Sequence, residues 1–253
     1  MTSGKPVPTF PYPALVAGVD GCRAGWVCVL ADAETGAPRE AFIARHIAEI
    51  AALEGVVRIA IDIPIGIPDF ARSGGRGCDT ALRRNLGERQ SSVFTVPARA
   101  ALAEADYWRA CDAAAAHSDP PRKVSKQCFH IFPKIREVDA LMRPELQARI
   151  VECHPEGAFW AMNGMRPLTE PKKVKSRGYP AGLALRRGLL QAAGYPAEFL
   201  SARRFRAAEA GEDDMLDACA CAWTARRVLR GEARRFPDEP LLDPKGLRME
   251  IWA

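Results

Sequence analysis

Three short apolar runs follow one another between Ala14 and Ala44: ALVAGVD, GWVCVLAD and the weaker PREAFIA, separated by Gly21 to Gly25 and by Glu34-Thr35-Gly36. Runs of this length, bounded by glycine and small polar residues, read as three adjacent strands joined by tight turns. HIAEIAALEG then places apolar residues at helical spacing and stops at Gly55, and VVRIAIDIPIGIP is a β-branched run closed by Gly and Pro. The resulting order, β-β-β-α-β, constrains the fold more than any other feature of the chain. A helical crossover favours a parallel neighbour, so the first and fourth strands are expected side by side in a mixed sheet.

The remainder is mostly helical. From Ser73 to about Met142 the chain passes through Gly- and Arg-rich turns into RAALAEADYWRACDAAAAHS and FPKIREVDALM. This stretch shows no obvious strand, and residues 73–145 read as a helical insertion after the fourth strand. ARIVECHPE is strand-like again, Pro155 can open a helix through AFWAMNG, GLALRRGLLQAAG is helical, and EDDMLDACACAWTARRVLRG is the longest helix. With no internal repeat or low-complexity linker, the expectation is a single domain over residues 14–253, preceded by a Pro-rich leader over residues 1–13.

Composition narrows the class. Of 253 residues, 48% are hydrophobic and 26% charged, enough apolar material for a sizeable core and too much for a disordered chain. Lys+Arg 36 against Asp+Glu 31 gives +5, too small a balance to argue for nucleic acid alone. The basic side comprises 28 Arg and 8 Lys; arginine forks suit phosphate, but genome composition produces the same bias. Eight cysteines, at 22, 28, 78, 111, 128, 153, 219 and 221, include no C-x-x-C pair, which argues against a zinc site or disulfide framework. The N-terminal stretch has no apolar helical run, so neither signal peptide nor membrane anchor is expected and the default location is cytoplasmic.

Chemistry enters with acidic residues at the ends of apolar strands. A carboxylate there is expensive to desolvate unless something compensates it. Asp20 in VAGVDG and Asp62 in IAIDIPIG occupy such positions, and Glu152 in IVECHPE interrupts a third strand candidate. Each is either an independent turn or cap residue or part of one convergent set, because parallel strands bring equivalent ends together. The last long helix adds Asp213, Asp214 and Asp217. Asp217 shares a helix face with both others and directly precedes ACACAW, which must be buried; one of Asp213 and Asp214 is an alternative helix cap. Like charges at a buried edge are relieved by a divalent cation or a raised pKa. The expected cluster is Asp20, Asp62, Asp214 and Asp217 as metal ligands and catalytic groups, with Glu152 as a fifth member. Oxygen-only ligands point to Mg²⁺ or Mn²⁺, a pairing suited to phosphodiester hydrolysis.

At this point the chain resembles a known family. An Asp in the first strand, an acidic residue at the fourth and a D-x-x-D pair on the last helix look like the ribonuclease H-like superfamily, closer to its RuvC and YqgF branch. More narrowly, GVDGCRAGW, AIDIPIG, RGCDTALRRNLG, SSVFTVPARAAL, SKQCFHIFPKIREVD, VECHPEGAF and DDMLDACACAW together resemble Domain of Unknown Function family 429, whose members are predicted nucleases. The resemblance implies an α/β fold with a mixed sheet of order 3-2-1-4-5, its second strand antiparallel, flanked by helices. It also implies a metal-dependent nuclease site at Asp20, Asp62, Asp214 and Asp217. The junction-resolving relatives carry a glutamate at the fourth strand, where this chain has the shorter Asp62; Glu152 is then a source of the longer carboxylate.

Other residues are candidates for substrate contact. Ser91, Ser92, Lys126, Gln127 and Lys134 either donate to phosphate or base atoms or belong to a loop anchored by Phe94 and to exposed helix faces. Arg23, in the first hairpin beside Asp20, is a phosphate-contact candidate, and His154 is a proton carrier or a structural histidine. Two further functions share these residues: an actin-like or sugar-kinase-type phosphotransferase, for which GVDGCRAG would grip phosphate but which needs a second Asp-Gly hairpin, and a catalytically silent nucleotide- or nucleic-acid-binding protein. The chain contains no G-x-x-x-x-G-K-[ST], H-E-x-x-H or G-x-S-x-G.

Overall fold

A computed structural model describes residues 14–175, 177–201 and 203–253; the Pro-rich leader expected over residues 1–13 lies outside the described residues. The three N-terminal runs form β1 (Leu15–Cys22), β2 (Gly25–Asp32) and β3 (Pro38–Ala44). A short helix, α1 (Ile47–Ala51), crosses to β4 (Val56–Ile61), and β5 (Ile150–Glu152) completes a five-stranded sheet ordered β3-β2-β1-β4-β5. β2 runs antiparallel to both neighbours, whereas β1, β4 and β5 are mutually parallel. The mixed sheet and its order are those expected from the sequence.

Alternation along the strands assigns the two faces. On one face Ala17, Val19, Ile59, Ile61 and Ile150 join a core with α1 and with helices from the segment between β4 and β5, α3 (Tyr107–Ala116), α4 (Lys126–His130) and α5 (Phe132–Leu141), whereas α2 (Gly77–Arg83) of the same segment packs Cys78 and Leu82 in a separate cluster with Trp160 and Phe236. On the other, Val16, Ala60, Val151 and Cys153 pack beneath α6 (Pro155–Met162), α7 (Pro180–Ala192) and α8 (Glu212–Arg230). Each large apolar side chain so buried contributes roughly 1.5–3 kcal/mol.

Helix α8 lies unusually close to the sheet. A Cβ built on Gly18 would sit 2.0 Å from Ala222 N and 2.1 Å from Ala218 O. The small residues of ACACA are therefore what allows the helix backbone to rest on β1, and only glycine fits beneath it. Gly231, at φ 70, then closes α8 in the left-handed conformation expected of a helix C-terminus.

Two details of the segment between β4 and β5 differ from expectation. The alanine-rich stretch is divided into Arg99–Leu102 and α3, because Asp106 accepts from Trp108 N and Arg109 N and caps a new helix. The stretch also contributes a strand: Ser118–Asp119 pairs in parallel with Ala71–Arg72. Near the end of the chain Arg235–Phe236 and Ile251–Trp252 form another small antiparallel pair, which has no strong apolar run to announce it. All eight cysteines are buried free thiols. Among the described residues, no helix is long and apolar enough to cross a membrane.

Candidate metal and phosphate site

The site grows from the alternation just described. Asp20 lies two residues beyond Gly18 on β1, and Asp62 two residues beyond Ala60, just past β4, so both face α8. Val19 and Ile61 are register partners, and Asp62 N donates to Val19 O at 2.9 Å; this aligns the two strand ends. Seating α8 on Gly18 delivers Asp217, the residue before Ala218, to the same point. One carboxylate oxygen from each of Asp20, Asp62 and Asp217 lies within 4.8 Å of the others.

These three acids repel. Burial, then the charges of Asp62 and Asp217, hold the Asp20 carboxyl well above the usual carboxylate range. Burial, then the charges of Asp217 and Asp214, push Asp62 up to about 7. Burial raises Asp217 also, against the opposing pull of Lys172, whose ammonium donates to Asp217 Oδ2. Asp217 Oδ1 is buried without a hydrogen-bond partner, and Asp20 Oδ1 accepts only from the adjacent Gly21 N–H at 2.7 Å. Three converging oxygen donors, carrying more negative charge than one lysine neutralises, fit a hard divalent cation such as Mg²⁺ or Mn²⁺.

Asp214 and Glu152 lie elsewhere than the cluster expected from sequence. Asp214 Oδ2 accepts from Gly211 N at 2.8 Å and so caps the start of α8; it adds to the negative field at Asp20 and Asp62 without joining the convergent oxygens. Glu152 follows Val151 and therefore points to the opposite face of the sheet from Asp20 and Asp62. There it meets the buried guanidinium of Arg76, with Nη1–Oε2 at 2.8 Å and Nη2–Oε1 at 2.5 Å, and accepts from Ile65 N at 2.7 Å. Arg76 also pairs with Asp79 at 2.7 Å and donates to Ile65 O at 2.9 Å.

A cleft of about 440 Å³ opens over both acidic groups. Ser91, Ser92, Gln127, Lys134 and His154 all line it, whereas Lys126 and Arg23 do not. Lys126 is exposed at the first turn of α4, on a different side of that turn from Gln127, and Arg23 Nη1 donates to Ala207 O at 3.2 Å. Lys134 lies across Gly21, with Nζ on Gly25 O and 4.2 Å from the centre of the Trp26 ring; burial lowers its pKa. His154 caps α6, Nδ1 accepting from Glu156 N at 3.2 Å, and burial lowers its pKa. Its neutral ring therefore carries the proton on Nε2, the nitrogen 3.4 Å from Ser92 O.

Residues not singled out from sequence also face the cleft. Arg89, Lys172 and Lys173 add positive charge, and Arg76, Asp79 and Glu156 form its buried polar wall. Lys173 pairs with Asp213 at 2.6 Å, which holds that carboxyl below the usual range despite its burial. Arg186, fully buried on α7, binds Glu156 and donates to Glu170 O at 3.1 Å, fixing the segment that carries Lys172. The available sequence signal was PKKVK, three of the chain's 8 lysines within five residues.

A family model described as Protein of unknown function (DUF429) matches residues 18–241. No curated protein matches the chain, and no solved structure does.

Proposed function

The chain belongs to the DUF429 family of proteins of unknown function, so its activity must be read from its own site, and we propose a metal-dependent nuclease that hydrolyses phosphodiester bonds. The observation that carries this reading is the convergence of Asp20, Asp62 and Asp217 within 4.8 Å at the floor of a cleft rimmed by Arg89, Lys134, Lys172 and Lys173. An acidic floor suits divalent cations and a cationic rim suits the phosphate they act on.

Asp20, Asp62 and Asp217 would hold the cation, which when bound supplies charge stabilisation at phosphorus and activation of water. In the net reaction water adds to phosphorus, one phosphorus–oxygen ester bond breaks, and the departing oxygen takes a proton. Lys172 both balances Asp217 and offers an ammonium to a phosphate oxygen, and Lys134 is a second such donor. His154, neutral and with Nε2–H toward Ser92 O, serves as a hydrogen-bonding wall of the cleft, and the proton on the departing oxygen comes from the water that is consumed. Arg76 holds the ends of β4 and β5 through Glu152 and the Ile65 carbonyl, which keeps Asp62 in place opposite Asp20.

The test is incubation of the purified protein with single-stranded, duplex, hybrid and branched nucleic acids in Mn²⁺ or Mg²⁺. Cleavage that EDTA stops and that Asp62→Asn removes is the expected result. No cleavage of any substrate, or cleavage that persists undiminished in Asp62→Asn, would overturn the proposal.

A further inference from the structure

We propose that a second cleft, on the far side of the wall formed by Ser91, Val93 and Phe94, binds a backbone phosphate of a single-stranded nucleic acid whose neighbouring phosphodiester occupies the carboxylate site. This rests on the nuclease reading and deepens it. The second cleft encloses about 430 Å³, and the same three residues line both clefts. Four cationic side chains line it, Arg72, Arg83, Arg122 and Lys123, and no carboxylate does.

The four cations divide by role. Arg83 is committed to the protein: Nε donates to Val93 O at 2.8 Å, Nη2 reaches Thr95 Oγ1 at 3.4 Å, and Nη1 binds Gly74 O. It thereby fixes the wall between the clefts. Arg72, Arg122 and Lys123 are exposed and, among the described residues, form no ion pair. Elsewhere this protein pairs its arginines readily, as with Arg99 to Asp139 and Asp243 or Arg187 to Glu212. Several cations gathered around a concavity without a counter-charge repel one another, and an anion relieves that repulsion.

Continuity with the first cleft selects the anion. A strand with one phosphate over Asp20, Asp62 and Asp217 that continues past Ser91 and Phe94 meets positive ground in this pocket. Phe94, half-buried and shared by both clefts, offers a ring on which a base can stack. Clefts of this volume admit a single strand more readily than a duplex.

The experiment is fluorescence anisotropy of a labelled single-stranded oligonucleotide in EDTA, across a salt series, with the wild-type chain and with the double variant Arg122→Ala, Lys123→Ala. Both positions are exposed, and an unchanged melting midpoint confirms that the variant is folded. The expected result is binding weakened about tenfold, with the slope of log affinity against log salt reduced by about 0.7, as for one lost phosphate contact on a single strand. Unchanged affinity and slope would overturn the proposal, as would absence of wild-type binding. Tighter binding of a duplex of the same sequence overturns the single-strand assignment, and protection by inorganic pyrophosphate without oligonucleotide binding shows a small-anion pocket instead. Because no metal or cleavage is required, failure of the nuclease assay with this binding intact would count against the nuclease reading alone.

Discussion

Two buried acidic groups lie within one cleft and are treated in opposite ways. Asp79 and Glu152 share the guanidinium of Arg76, which spends its donors on both carboxylates and on the Ile65 and Gly66 carbonyls. Asp20, Asp62 and Asp217 have one ammonium among them, from Lys172, and an oxygen of Asp217 is left without a partner. The first group is closed on itself and ties strand ends together. The second is incomplete without something positive. Buried acids alone therefore do not mark a ligand site; the marker is acid left uncompensated where a cleft gives access to it.

The largest effect should come from breaking the closed group. Arg76→Leu leaves Asp79 and Glu152 buried without a counter-charge and should cost about 3–5 kcal/mol, seen as a marked fall in the denaturation midpoint; a variant as stable as the wild type would remove the distinction between the two groups. The corresponding change in the open group should have the opposite sign. In EDTA at about pH 8, where Asp62 is ionised, Asp62→Asn removes a repelling charge and should raise the melting midpoint by about 2–4 °C, the change that about 1 kcal/mol makes in a chain of this size. A fall of similar size would show that the three acids are already satisfied.

The open group should also give a pH dependence. Asp62 is raised to about 7 in the folded protein, while an unfolded aspartate titrates near ~3.9. A raised folded pKa contributes stability that is fully present below the unfolded value and is lost as pH rises through the folded one. In EDTA, calorimetric midpoints should therefore decline from about pH 5 to about pH 8, and saturating Mn²⁺ should flatten or reverse the trend because it binds the ionised form. Asp62→Asn should weaken the decline. A metal-free midpoint that rises over this interval would contradict the assignment.

Much of this organisation is legible in the sequence, for identifiable reasons. The pairing of the first and fourth strands follows from β-branched runs and one helical crossover, the full strand order is what the family resemblance implies, and Asp20, Asp62 and Asp217 stand out because charge at the edge of an apolar segment is costly. What sequence does not show is orientation. Glu152 ends a strand as Asp20 nearly does, but it falls on the opposite side of the alternation once β5 has its register, and so it pairs with Arg76. Asp214 has the spacing of a ligand but serves the free N–H of Gly211. Lys172 and Arg76 come from loops with no periodicity, so nothing local predicts which acids they meet. Among the described residues the β-β-β-α-β unit occurs once, which offers no second hairpin of the kind a sugar-kinase-type site needs.

The central claim, that Asp20, Asp62 and Asp217 hold a divalent cation, is tested most directly by titrating Mn²⁺ into the metal-free protein while following its melting midpoint, in parallel with Asp62→Asn. Binding to the folded state alone should stabilise the wild-type chain by about 2.7 kcal/mol at 100 times the dissociation constant, with little or no shift in the variant. A wild-type midpoint indifferent to Mn²⁺, or an equal rise in Asp62→Asn, would contradict it.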